Sequence, residues 1–268
     1  MPVAPIGIFD SGVGGLSVWQ EIIKLMPACS TMYVSDNACC PYGPKPAEEV
    51  VERTKKISRF LIDQGCGLIV VACNTATAAA IDTLRATFDT PFVGMEPAVK
   101  PAALHSKTGV VGVLATKGTF GGRLYKETSQ RFASNVHVIE RVGDGLVELV
   151  EQGLMDAPQT IALLHQYIDP MMEAGADHLV LGCTHYPFLI PAIEQITQGR
   201  IVIVNPAPAV AQHTQLIWQQ LIYSGSNKGI TTPEYKFYAT GSDAALEACY
   251  RRLEIKTLIS TVFSHIYL

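Results

Sequence analysis

Gly65-Cys-Gly-Leu-Ile-Val-Val-Ala-Cys73 can be laid without a gap on Gly175-Ala-Asp-His-Leu-Val-Leu-Gly-Cys183. Each stretch is a short apolar run closed by a small residue and a cysteine. Asn74-Thr75 follows the first and Thr184-His185 the second. Upstream, Ile8-Phe-Asp-Ser11 lies over Val113-Leu-Ala-Thr116 at similar spacings to the two cysteines. Short apolar runs bounded by glycine, each followed by a longer helical pattern, read as buried parallel strands and their crossover helices. The duplication therefore predicts two similar α/β lobes, with two similar cysteines on opposite walls of one cleft.

The rest of the chain continues the alternation. Strands are expected at 5–9, 31–35, 68–72, 110–114, 136–139, 178–182, 201–204 and 235–239. Helices are expected at 15–25, 47–64, 75–86, 119–132, 145–152, 157–173, 187–196, 207–223 and 244–253. Val50, Ile57 and Leu61 share one face of the second helix, and Ile161, Leu164, Ile168 and Met171 one face of a later one. Asn37–Pro46, with Pro41, Gly43, Pro44 and Pro46, is expected to be a loop. The fold class is α/β, with mostly parallel sheets flanked by helices.

Composition narrows the function. The 268 residues are 48% hydrophobic and 16% charged, enough for a large core. The formal net charge is −4, with no basic stripe, which argues against nucleic acid as a primary partner. No apolar run reaches the roughly 18 residues of a membrane span. Nothing near Met1 reads as a signal peptide, so the expected location is the cytoplasm. Seven cysteines, an odd number with no C-x-x-C pair, point to neither a metal site nor a disulfide framework. No metal and no cofactor is expected.

Cys73 and Cys183 each fall at the carboxyl end of an expected strand, where open α/β sheets bind ligands. A helix N-terminus there would favour a thiolate and attract a carboxylate. Two facing thiols without a cofactor suit racemisation. Inverting a carbon requires a proton to leave one face and another to arrive on the opposite face. One thiolate and one thiol can do both, provided surrounding groups stabilise the developing carbanion. Asp10, beside Cys73, and His185, beside Cys183, are candidates to assist. Asp10-Ser-Gly-Val-Gly-Gly-Leu-Ser17 has part of a dinucleotide fingerprint, with Asp36 downstream. Ser17 at the third glycine position and the charge of Asp10 argue against that reading. The glycines are expected instead to let the backbone approach a small ligand. Ser11, Asn74, Thr75, Thr116, Thr119 and Thr184 supply polar groups for a carboxylate.

Gly7-Ile-Phe-Asp-Ser-Gly-Val-Gly-Gly-Leu-Ser-Val18, Pro41-Tyr-Gly43, Val71-Ala-Cys-Asn-Thr-Ala76 and Leu181-Gly-Cys-Thr-His-Tyr-Pro187 together resemble the glutamate racemases of the aspartate/glutamate racemase family. The resemblance runs in order from about Ile6 to Pro187. It implies two pseudosymmetric domains, 1–97 plus 208–268 and 98–207, with the active site between them. It implies Cys73 as the base for D-glutamate and Cys183 as the base for L-glutamate, with Asp10 and His185 assisting. Ser11, Tyr42, Gly43, Asn74, Thr75, Thr116, Thr119 and Thr184 would hold the substrate, together with Asp10 and His185. The implied role is supply of D-glutamate for bacterial peptidoglycan, and a homodimer is the implied assembly. An aspartate racemase and a non-catalytic amino-acid-binding protein on the same scaffold are the alternatives. The chain departs from the pattern in two places. Arg141-Val-Gly-Asp-Gly145 stands where a Cys-Pro stretch is common, which leaves the match of Glu151 open. Asn205-Pro206 stands where many members have Asp-Ser, at an expected hinge.

Overall fold

Leu68–Val71 and His178–Gly182, the strands of the two repeats, are buried along their whole length and sit inside separate parallel sheets. The computed structural model describes residues 4–96, 98–132, 136–223, 232–253 and 261–268. The first half runs β1 (Ile6–Asp10), α1 (Leu16–Leu25), β2 (Thr31–Ser35), α2 (Ala47–Asp63), β3 (Leu68–Val71), α3 (Asn74–Thr87), β4 (Phe92–Gly94) and α4 (Val99–His105). It continues through β5 (Val110–Ala115), α5 (Lys117–Gly121), α6 (Arg123–Phe132), β6 (His137–Val142), α7 (Leu146–Glu151), α8 (Pro158–Glu173) and β7 (His178–Gly182). The last elements are α9 (Ile190–Thr197), β8 (Val202–Val204), α10 (Ala207–Tyr223), β9 (Tyr235–Ala239), α11 (Asp243–Arg252) and β10 (Thr261–His265).

One sheet has the order β10-β9-β2-β1-β3-β4 and the other β6-β5-β7-β8. Every strand pair is parallel. Such sheets must be covered on both faces, which explains continuous apolar runs instead of alternation. Each fully buried Ile, Leu or Val in them contributes roughly 1.5–3 kcal/mol.

The sheets repeat one another in register as well as in order. Ile6 pairs with Leu68 in the first, and Val111 with His178 in the second. These are the pairs that the sequence alignment superimposes. Gly65 and Gly175, which open the repeats, both take left-handed backbone, at φ 87° and 85°, just past the ends of α2 and α8. Only glycine adopts that helix stop without strain.

β9 and β10 extend the first sheet beyond the repeat. An aromatic cluster docks them. Trp19 on α1 meets Phe237 edge-on at 4.9 Å, and Phe237 stacks on Phe263 at 5.1 Å. The Trp19 indole N–H is satisfied by Thr31 Oγ1 at 2.8 Å.

Several expectations are corrected. The helix expected over 119–132 is two helices, because Gly122 is extended and packs against Ala78, where a Cβ would come within 2.5 Å. The helix expected from Pro187 starts as a 3-10 turn over Tyr186–Leu189 before α9 begins. Pro191, at the start of α9, has no N–H to carry a helix through from the turn. The 37–46 loop contains one 3-10 turn, Asn37–Cys39. β4, α4 and β10 were not anticipated. β4 and α4 are only 3 and 7 residues long, which leaves little periodicity to read.

Candidate active site

The carboxyl ends of β1, β3, β5 and β7 converge, and a narrow cavity lies among them. Its walls are Ser11, Pro41, Tyr42, Gly43, Cys73, Asn74, Thr75, Thr116, Val147, Cys183, Thr184 and His185. Ten of the twelve residues singled out from the sequence thus meet in one place. Asp10 and Thr119 lie behind the wall.

The two thiols have different surroundings. Cys73 is the N-cap of α3, and its Sγ accepts the Ala76 N–H at 3.5 Å. It also donates to Ser11 Oγ at 3.8 Å. Burial, reinforced by the nearby Asp10 carboxylate, holds the Cys73 thiol well above its ordinary range, against the pull of the Ala76 N–H. Cys183 caps no α-helix, since a 3-10 turn follows it, contrary to the matched helix starts expected for the two cysteines. Its partner is an imidazole instead: His185 Nδ1 lies 3.7 Å from Cys183 Sγ.

His185 is buried, and its Nε2 meets Glu151 Oε1 at 2.6 Å. The same oxygen accepts the Val13 N–H at 2.7 Å. Burial opposes charging of the imidazole. Hydrogen bonds to Cys183, Cys40 and Glu151 outweigh it and hold His185 well above its ordinary range. Glu151 is the counterpart: burial would raise its carboxyl, but the His185 hydrogen bond and charge bring it below the usual value. Carboxylate, imidazole and thiol therefore form a line from Glu151 through His185 to Cys183. Glu151 is the residue whose match the motif left open. Its position at the end of α7 carries no local signal of this pairing.

Asp10 is wholly buried. Its Oδ2 accepts the Gly15 N–H at 2.9 Å and the Gly12 N–H at 3.3 Å, and its Oδ1 accepts from Thr184 Oγ1 at 3.3 Å. It therefore ties the first sheet's loop to the second sheet. Burial lifts its carboxyl above the ordinary range despite the His185 charge and these donors. Ser17 adds a second tie, donating to the carbonyls of Gly14 and Thr184.

The glycines between Asp10 and Ser17 make room for the protein's own side chains, not for a ligand as expected. A Cβ on Gly12 would fall 1.9 Å from Glu151 Oε1, one on Gly14 2.3 Å from His185 Nδ1, and one on Gly15 2.6 Å from Asp10 Cβ. None of the three has positive φ, so close approach is the reason for glycine here.

On the opposite wall, Thr75 Oγ1 and Thr116 Oγ1 are hydrogen-bonded at 2.8 Å, joining the helix starts of the two sheets. Thr116 caps α5 through the Thr119 N–H, and Thr119 Oγ1 reaches the Gly182 carbonyl at 3.4 Å. Gly43 packs against Thr116. The Tyr42 hydroxyl is committed to Asp36, which Arg53 also holds, so this residue lines the cavity with its ring and backbone. Asn74 is 4% exposed, and neither its Oδ1 nor its Nδ2 has a partner within the protein. Such an orphaned amide facing a cavity is suited to a polar ligand.

A family model described as Asp/Glu/Hydantoin racemase matches residues 6–214. The chain is similar to the glutamate racemase of Roseiflexus sp. (strain RS-1), at 48% identity over 81% of this chain and 80% of that one. A crystal structure of a glutamate racemase isoform from Bacillus anthracis superimposes with a TM-score of 0.85, at 32% identity over 100% of this chain and 99% of that one. A structure of Escherichia coli glutamate racemase, in complex with L-glutamate and the activator UDP-MurNAc-Ala, has the same TM-score at 31% identity, covering 98% of each chain.

Proposed function

The chain belongs to the Asp/Glu/Hydantoin racemase family, and on that premise we propose that it interconverts L- and D-glutamate by a two-base transfer at Cα between Cys183 and Cys73. The observation that carries the reading is the meeting of two thiols, one from each sheet, in the wall of one cavity. The reaction supplies D-glutamate for peptidoglycan. The domain division follows the two sheets, 1–97 plus 208–268 and 98–207. No helix among the described residues is long and apolar enough to cross a membrane.

The surroundings suggest the resting state. Cys73, buried next to Asp10, is held as the thiol, which leaves Cys183, with His185 Nδ1 3.7 Å from its sulfur, as the base for L-glutamate. Cys183 then removes the α-proton of L-glutamate. Cys73 delivers its own proton to the opposite face and becomes the thiolate. D-glutamate is released, and the reverse sequence starts from Cys73. Asn74, Thr75, Thr184 and the N–H groups opening α3 hold the carboxylates and the developing negative charge. Asp10 and the Glu151–His185 pair act through the thiols.

Incubation of L-glutamate with the enzyme in D₂O tests this, with the α-proton followed by NMR and the enantiomers by chiral chromatography. Deuterium should enter the D product ahead of the remaining substrate. Cys73→Ser or Cys183→Ser should lower racemisation at least about 100-fold, the scale of a lost acid–base group, while glutamate still binds. Full turnover in both directions by either variant would overturn the two-base reading. The same assay with aspartate separates the related racemase activity.

A further inference from the structure

Beside the proton path lies a second arrangement that shares Glu151 and His185 with it and adds Cys40. Cys40 comes from the loop after β2, Glu151 from the end of α7 and His185 from the turn after β7. One ligand atom from each, a thiol sulfur, a carboxylate oxygen and a ring nitrogen, lie within 4.8 Å of one another. Cys40 and Glu151 are half-buried, so the group is reachable from outside, while His185 closes it from within. Gly12 forms its floor: a Cβ there would lie 3.0 Å from Cys40 Sγ and 1.9 Å from the Glu151 carboxylate. Three protein ligands of S, N and O type match in number and donor class a zinc site that keeps an exchangeable fourth position. A thiolate and an imidazole select against Mg²⁺ and Ca²⁺.

We propose that Cys40, Glu151 and His185 form a binding site for a borderline-soft divalent cation such as Zn²⁺, and that its occupancy inhibits the enzyme. The inhibitory part rests on the reading of His185 and Glu151 as the proton support of Cys183. A metal-bound imidazole is held as a neutral ligand. A ring nitrogen and a carboxylate oxygen given to the ion are lost to each other, which breaks the line of contacts from Glu151 through His185 to Cys183. Cys40 reaches the racemisation only through its hydrogen bond to His185, so metal sensitivity is compared with each variant's own metal-free turnover.

Two measurements test the proposal. The first is independent of activity. Co²⁺ is titrated into the Cys73→Ser/Cys183→Ser protein, which lacks the two reacting thiols. One equivalent should bind with a thiolate-to-cobalt charge-transfer band, and adding Cys40→Ser should abolish the band. Absence of the band, or its survival without Cys40, overturns the site. The second is Zn²⁺ inhibition of the otherwise unmodified enzyme in both directions, reversed by EDTA. Relative to its own metal-free rate, Cys40→Ser should need at least about tenfold more Zn²⁺ for the same fractional inhibition, the lower end of the loss seen even for outer-shell changes. Cys40→Val serves if the serine variant folds poorly. Equal Zn²⁺ sensitivity without Cys40 would put the inhibitory metal on the reacting thiols and overturn the inhibition. Failure of the two-base reading would leave the cobalt result standing.

Discussion

Glu151→Gln isolates the charge behind the Cys183 imidazole. The amide keeps the shape of the side chain, and its oxygen can still accept the Val13 N–H. What disappears is the charge-assisted bond to His185 Nε2, now 2.6 Å long, between a carboxylate that is 17% exposed and an imidazole that is 2% exposed. Hydrogen bonds to charged groups contribute about 1.5–3 kcal/mol. At about 1.4 kcal/mol per pKa unit, the His185 pKa should fall by roughly one to two units. His185 is raised in the folded protein, so its stabilising effect is full below about 6.5 and is lost as pH rises through its folded pKa. Glu151 is lowered, so its effect is present above about 4.5 and is lost as pH falls through its own folded pKa. The variant should therefore lose most stability near neutrality, where both charges exist. Initial rates in both directions, measured by chiral chromatography from acid to alkaline pH, are the assay. Turnover should fall about 10-fold or more, and the alkaline limb should move down by roughly one to two pH units. A Glu151→Gln enzyme whose profile superimposes on the parent would refute the role given to this pair.

Gly14→Ala drives a methyl into the His185 ring, 2.3 Å from Nδ1. Overpacking of this kind costs about 1–3 kcal/mol, so the melting temperature and turnover should both drop, while Gly121→Ala, with nothing within 4 Å, should be silent. Equal behaviour of the two variants would contradict the close packing of Gly14 on the ring. Cys66 is 5% exposed, and burial pushes its thiol up to about 12. The unfolded thiol ionises near 9, so this contribution is full below that pH and is lost as pH rises from there towards about 12. Urea unfolding across that alkaline range should show Cys66→Ala losing stability with pH less steeply, by about 1.4 kcal/mol per pH unit. Parallel slopes would count against the buried neutral thiol.

The alternation of strands and helices, the repeat and the paired cysteines were all readable from the chain. Each depends on residues close in sequence: apolar runs, glycine stops, and small polar residues after a strand. The registers of β1 on β3 and of β5 on β7 repeat the sequence alignment pair for pair, and β3 and β7 each follow a left-handed glycine stop at the same distance. Tertiary structure alone decided what supports the site. The contacts from His185 to Glu151, from Val13 to Glu151 and from Thr184 to Asp10 span 34, 138 and 174 residues. No local period encodes such distances. The glycines after Asp10 were legible as a demand for space, but only packing identified the occupants as Glu151, His185 and Asp10 itself. For the same reason the Cys40, Glu151 and His185 cluster has no sequence spacing to announce it. Its three residues come from a loop, a helix end and a turn, and the fold of both sheets around one cleft is what brings their ligand atoms within 4.8 Å of one another.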